Sequence, residues 1–389
     1  MAVHVVPHRD ASLHGRFDAD LPPLLEVASG DVLVLSTVDA GWHADEQGDL
    51  HGPDAAPAPR PGRDREQDPG HALTGPFAVV GAEPGTVLEV RVRALEPGGW
   101  GWTRAGGWPS WCNDALGVAD ADPEMLLWHL AWDAAAGTGT ARDQHGDVVA
   151  LRPFLGVVGV CPAGPGPRST VPPRRTGGNL DCRELVVGSS LFLPVEVPGA
   201  LLSVGDGHAA QGDGEVSGLA VECPMRRVEL EVVLHTAPSP ALARTPRATT
   251  PAGDVTFGVD ADLRRATVMA LDGMVELLRE RHGLGRTRAL ALASVAVDLR
   301  VTQVVNQVHG VHAVLPPGRL VVGGRCRRPS RPSSRHRDRR RLGGPAADRG
   351  GPAPHGSSCR RPLRCSPPGP MDRHDGTRSS GPRRSGESV

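Results

Sequence analysis

PVEVPGALLSVGDGHAAQGDGEVSGLAVE, residues 194–222, begins as an apolar run around a Val-Pro-Gly-Ala turn and ends as a dense polar loop. The second half, from Gly205 to Glu222, holds Asp206, His208, Gln211, Asp213, Glu215 and Glu222. It is too polar and too Gly-rich to be core for its own sake. The pattern predicts a strand that delivers a functional loop to a cleft. Asp206 and His208, two residues apart, share one side of an extended chain. That pair suits a metal ion that prefers oxygen and nitrogen donors. Asp213 and Glu215 repeat the spacing, and carboxylates sharing a site push their pKa values apart. A solvated acidic turn is the plain alternative.

Outward from this loop the chain reads as mainly β. DVLVLSTVDA (31–40), PFAVVGAEPGTVLEVRVRAL (76–95), MLLWHLAWDAAAG (125–137), GDVVAL (146–151), RPFLGVVGVCPA (152–163) and RRVELEVVLHTA (226–237) are strand runs bounded by Gly, Pro and Asp. Residues 43–72 read as a long loop, a candidate lid. Trp100, Trp102, Trp108 and Trp111 cluster among glycines, either as a packed corner of the sheet or as the apolar wall of a pocket. After 237–252 the character changes. ADLRRATVMALDGMVELLRERHG (261–283) places Leu263, Val268, Leu271, Val275 and Leu278 near helical spacing and ends on Gly283 behind Arg279, Arg281 and His282. TRALALASVAVDLRVTQVVN (287–306) reads as a second helix turning into a strand, and VHAVLP as a last strand.

Composition narrows the chemistry. The chain has 389 residues and contains no Lys, Ile or Tyr. From Val322 onward 17 Arg stand against 5 acidic residues, which leaves 26 basic against 39 acidic in 1–321. An acidic body argues against nucleic acid as a partner. Seven scattered cysteines without a CxxC pair suit a reduced, cytoplasmic setting. The N-terminus lacks a signal-peptide h-region, and no apolar run is long enough for a bilayer. There is no GxSxG, HExxH or GxxxxGK[ST] motif. Without Lys, neither a Ser-Ser-Lys nor a Cys-Glu-Lys catalytic triad is possible. Cys161, Cys182 and Cys223 lie near polar segments as candidate nucleophiles, and a metal-activated water is the route that remains for hydrolytic chemistry.

The loop, together with LTGPFAVVGAEPGTVLEVRV (73–92), RPFLGVVGVCPA (152–163), STVPPRRTGGNLD (169–181) and ASVAVDLRVTQVVNQVHGVHAVLP (293–316), resembles the acetamidase/formamidase family, with the blocks in the family's order over residues 10 to 317. The resemblance implies a jelly-roll-like β-sandwich with smaller barrel-like and α/β parts. It also implies hydrolysis of short linear amides to a carboxylate and ammonia with a bound divalent metal, zinc or else calcium. A homo-oligomer, a dimer or larger, is expected. Within that chemistry we assign Asp181, His208 and Asp39 to the metal. Glu222 and Glu215 are candidate general bases, Asp213 orients one of them, and Asn179 and Gln211 hold the amide. Each has a plainer role open to it: Asp39 as a turn cap, His208 as a hydrogen-bonded core histidine. Three segments are expected: a β-rich catalytic body (1–236), an α/β portion completing the fold (237–321), and an Arg/Pro/Gly/Ser-rich tail (322–389), disordered or frameshifted. A non-catalytic ligand-binding sandwich, or a pseudoenzyme disabled by its altered C-terminus, is the alternative function.

Overall fold

The computed structural model describes residues 1–7, 10–43 and 63–323. The expected lid falls largely on 44–62 and the tail on 324–389, both outside the described residues. The predicted strands form, and two large sheets carry the fold. One runs, in spatial order, Val3–Val5, Val32–Thr37, Met225–His235, Val87–Pro97, Ser190–Pro194, Arg247–Thr250, Gly253–Asp260, His309–Leu315 and Asp298–Gln303. The other runs Gly177–Asn179, Phe154–Gly159, Leu202–His208, Leu73–Val79 and Leu13–His14, with Leu25–Val27 also paired to Leu73–Val79. A four-stranded meander from Trp100 to Ala150 adjoins them. Among the described residues no sheet closes into a barrel.

The two large sheets pack through one apolar core. Leu33, Leu88, Val90, Leu230 and Val232 of the first meet Phe77, Phe154, Val158, Leu202 and Val204 of the second. In the second sheet the alternate residues are buried as well, so its central strands are covered on both faces. The first sheet crosses the expected boundary at 236, because strands from 247–315 extend it.

The C-terminal helices form as the sequence predicts, over Leu263–His282 and Arg286–Ala296. Asp262 caps the first by accepting from the Arg264 N–H, and Gly283 ends it at φ 61°, a left-handed turn that suits glycine. Val275 and Leu278 of the expected apolar stripe are buried, but its first half departs from it: Leu263 and Val268 are exposed, while Ala266, Ala270 and Met274 are buried. The cause is close approach: a Cβ on Gly258 would lie 2.0 Å from the Ala266 carbonyl, so only small residues fit where the helix crosses Gly258.

Candidate active site

The strand Leu202–His208 and the strand Phe154–Gly159 pair with register Leu155–Gly207 and Val157–Gly205. Between those pairs, Asp206 lies opposite Gly156. Asp206 takes φ 59°, so its carboxylate turns over the Gly156 backbone. A Cβ on Gly156 would meet Asp206 Oδ2 at 2.3 Å, Asp181 Oδ1 at 2.7 Å and the His208 ring at 2.9 Å. Glycine is therefore the floor on which three polar groups converge. Asp181 and Glu215 also have positive φ, 48° each. Asp tolerates that region better than most residues, but such a conformation in Glu costs on the order of 1 kcal/mol or more. Strained backbone at three acids of one cluster is a mark of function rather than of packing.

Two overlapping sets of ligand-type atoms result, Asp181–Asp206–His208 and His208–Glu215–Glu222, each within 4.8 Å and all buried. Glu222 is brought in by a short segment bridging the strand Leu202–His208 and the four-stranded meander, paired with both His208 and Trp102. Glu215 is anchored by backbone bonds between Gly214 and the Thr302–Val304 segment. From the same C-terminal region Asn306 donates to Asp181 Oδ2.

Gln211 orients the imidazole. Its Oε1 sits 2.9 Å from His208 Nδ1, and its amide nitrogen donates to the Asp181 carbonyl. A proton on Nδ1 leaves Nε2 facing Asp206 Oδ1 at 3.2 Å and Glu222 Oε2 at 3.3 Å. A neutral ring would then point a lone pair at two carboxylates, an arrangement that either a bound cation or a second ring proton relieves. Burial opposes a charged ring here, yet Glu222 and Asp206 outweigh it and hold the His208 pKa well above its ordinary value. Burial, then neighbouring negative charge, raises Asp181 well above the carboxylate range, Glu215 to about 8 and Glu222 to about 7. Asp206 is held low against the effect of burial by the charges of His208 and His71.

These residues fit a divalent cation. Asp181 Oδ1, Glu215 Oε2 and Glu222 Oε2 are buried without a hydrogen-bond partner. Four carboxylates around one imidazole leave excess buried negative charge, which is costly unless compensated. The donor set is oxygen and nitrogen, as a hard or borderline ion requires.

Three assigned residues sit elsewhere or act differently. Asp39 lies outside both sets. Its oxygens accept from the backbone N–H groups of Gly41 and His43 and from Trp102 Nε1, and Oδ2 pairs with His43 Nδ1 at 2.7 Å. It holds the turn 39–43 and the Trp102 ring. Asp213 is exposed, 3.8 Å from Arg183. Gln211 binds the histidine and a backbone carbonyl.

Asn179 lines the pocket, donates to the Val171 carbonyl and leaves Oδ1 buried and unpartnered. Sequence reasoning missed Asn306 and His71, whose Nδ1 meets Thr170 Oγ1 at 2.8 Å. Only folding brings them to the cleft, and neither has a local motif. Trp102 lines the pocket too, while Trp111 is exposed, so the tryptophan cluster is not a single unit. The candidate nucleophiles are inert by environment: burial pushes the Cys161 thiol up to about 11 and raises Cys182 and Cys223 further. The pocket itself holds about 270 Å³, room for a small substrate.

Among the described residues no helix is long and apolar enough to cross a membrane. Formamidase of Methylophilus methylotrophus is 29% identical over 54% of this chain and 60% of its own length. Acetamidase of Mycolicibacterium smegmatis is 28% identical over 52% and 61%. This chain thus spans about 60% of the curated relatives it matches. A crystal structure of acetamidase from Bacillus halodurans superposes with a TM-score of 0.66 at 28% identity, covering 81% of this chain and 97% of that one. The model of the Acetamidase/Formamidase family matches residues 4–167 and 163–318, so this chain belongs to that family.

Proposed function

We propose that this protein hydrolyses short linear amides of the formamide and acetamide class to a carboxylate and ammonia. The observation that carries the reading is the convergence of Asp181, Asp206, His208, Glu215 and Glu222 over Gly156, with three carboxylate oxygens left unpartnered. Asp181, Asp206 and His208 are the residues that would hold a divalent cation, zinc by its nitrogen-and-carboxylate donors or else calcium. Bound there, such a cation supplies Lewis acidity, making water nucleophilic at neutral pH and polarising the amide carbonyl.

The chain's own residues do the rest. Glu222, with its pKa near 7, is poised to take a proton from the attacking water and return it to the departing nitrogen. One water is consumed, the C–N bond breaks, and its nitrogen leaves as ammonia. The free Asn179 Oδ1 accepts an amide N–H, a contact an ester cannot make. Burial raises Glu215 to about 8, so it keeps its proton at neutral pH. A pocket of about 270 Å³ favours substrates with little beyond the amide group.

Ammonia release from formamide and acetamide by the full chain, before and after chelation and with zinc or calcium restored, tests the reading. Release that chelation abolishes and metal restores is the expected result. No release from any short amide with either metal present would overturn the enzymatic reading in favour of a ligand-binding sandwich.

A further inference from the structure

A second, larger cavity lies behind the candidate active site. It holds about 720 Å³, within the range of small-molecule sites. Leu180, Phe257, Val259, Val268 and Met269 give it an apolar lining, and Arg174, Arg175, Arg244 and Arg247 stand around it. Its wall includes the helix Leu263–His282, which turns its small residues to the sheet and leaves Val268 60% exposed. An apolar side chain left open to a concave space has no packing role there.

Arg247 is the unusual member. It is 7% exposed, it begins a strand in the nine-stranded sheet, and its Nε is buried without a partner. Its terminal nitrogens reach Glu280 only at 3.4 Å. A guanidinium stays charged at any working pH, so a buried one with an unused N–H favours an anion. The surroundings agree. Arg175 pairs with Glu196, Arg244 with Asp272, and Arg279 and Arg286 with Glu276. Arg286 also pairs with Asp272. Arg174 donates to the carbonyls of Ser169 and Pro172 and has no acidic partner among the described contacts. Six arginines thus meet four acids, counting Glu280.

We propose that this cavity binds an anionic amphiphile: a carboxylate head on Arg247, and an unbranched apolar tail along Leu180, Phe257, Val259 and Met269. The fork of an arginine accepts a carboxylate through two parallel N–H bonds, and a cation buried among apolar groups strengthens that contact. The tail covers Met269 and Val268, which otherwise face water, against the buried Leu180 and Phe257. Nothing in the amide chemistry uses this space, which is larger than the acidic pocket and of opposite charge.

Isothermal titration of the full chain with decanoate, decan-1-ol and acetate tests the proposal and needs no variant. Decanoate should bind at least about tenfold more tightly than either control, since one lacks the charge and the other the tail. Val268→Glu, on an exposed helix position in the lining, adds a like charge and should weaken decanoate about tenfold more than it weakens decan-1-ol. Arg247→Met should erase the difference between decanoate and decan-1-ol. Equal binding of decanoate and decan-1-ol by the unaltered protein, no binding of decanoate, or full binding by Val268→Glu would each overturn the proposal. These readouts are independent of amide turnover, so their failure leaves the hydrolase reading untouched.

Discussion

Two cavities share the segment Gly177–Asp181 as a wall. Asn179 and Asp181 belong to the acidic site, and Leu180 between them lines the arginine-flanked cavity. The contrast is in how charge is handled. In the acidic site the carboxylates face one another around a single histidine, and their pKa values move far from the ordinary range. Around the larger cavity the acids and arginines pair off, so most charges there are already neutralised. Unpaired like charge is costly to fold, and a protein keeps it only where a ligand or a reaction compensates it. Paired charge with apolar walls is the ordinary make-up of a binding cavity.

The sharpest way to break the contrast is to remove the poised charge while leaving the shape. Glu222→Gln keeps the side chain's size and its bond from the Ala220 N–H. Turnover of formamide should fall by about 10²–10⁴, the usual contribution of a positioned acid–base group. The pH profile gives the second half of the test. Glu222 acts only when ionised, and burial lifts its pKa to about 7. In the unaltered protein the rate should therefore fall about tenfold per pH unit below that value. The variant should lose this limb, and a variant that kept both rate and limb would move the base elsewhere.

Gly156→Ala attacks the geometry instead. The added methyl would stand 2.3 Å from Asp206 Oδ2 and 2.7 Å from Asp181 Oδ1, so the carboxylates must part. A displacement of that size in a catalytic constellation costs on the order of 10² in rate. Metal content, measured on the purified variant, should fall with activity. Urea stability should change little or even rise, because separating buried like charges relieves repulsion. Unchanged activity would show that the convergence over Gly156 is incidental.

Gln211→Leu is milder. It removes the acceptor that fixes the His208 tautomer and leaves every charged group in place. Partners of this kind tune metal affinity by about 10–100-fold. A competition titration against a zinc chelator reads that loss directly, and Gln211→Glu, which restores an acceptor, should recover part of it.

How much of this was legible in the sequence follows from range. The strand and loop 194–222 carry local signals, and so does the helix with Asp262 and Gly283 at its ends; both were readable because alternation, spacing and caps act within a few residues. The turn-capping role of Asp39 was one of two open in the sequence and is the one the structure shows, whereas the role of Gln211 was not readable, since a Gln in a loop reads alike whether it faces a cleft or a neighbouring ring. Asp213 shares Glu215's spacing yet lies at the surface, because positive φ at Glu215 turns the chain and breaks the period of two. Asn306 and His71 reach the site only through sheet pairings between distant segments. The arginine-flanked cavity is harder still, drawn from residues between 174 and 276 with no shared pattern.

The smallest effect lies behind the larger cavity and concerns stability. His312 is fully buried, shares a 2.7 Å bond between Nδ1 and Thr302 Oγ1, and packs against Phe257, one of the cavity's apolar walls. Burial lowers its pKa from 6.5 to about 4, with Glu184 opposing and Arg300 assisting. The folded protein therefore refuses a proton that the unfolded chain accepts. Above pH 6.5 both states are neutral and the contribution is complete. As pH falls through 6.5 toward 4 the unfolded state gains the proton first, and stability is lost. At pH 5.5, one unit below the unfolded value, the loss is about 1.4 kcal/mol. His14, also lowered to about 4 by burial, adds a similar amount from the opposite end of the chain. Urea denaturation at pH 7.5 and 5.5 should show His312→Gln losing about 1.4 kcal/mol less than the unaltered protein over that interval. An equal loss in both would place the acid sensitivity elsewhere. His14 is the first alternative, because burial lowers it in the same sense; the raised carboxylates of the acidic cluster act in the opposite sense, since the folded protein takes up their protons before the unfolded chain does.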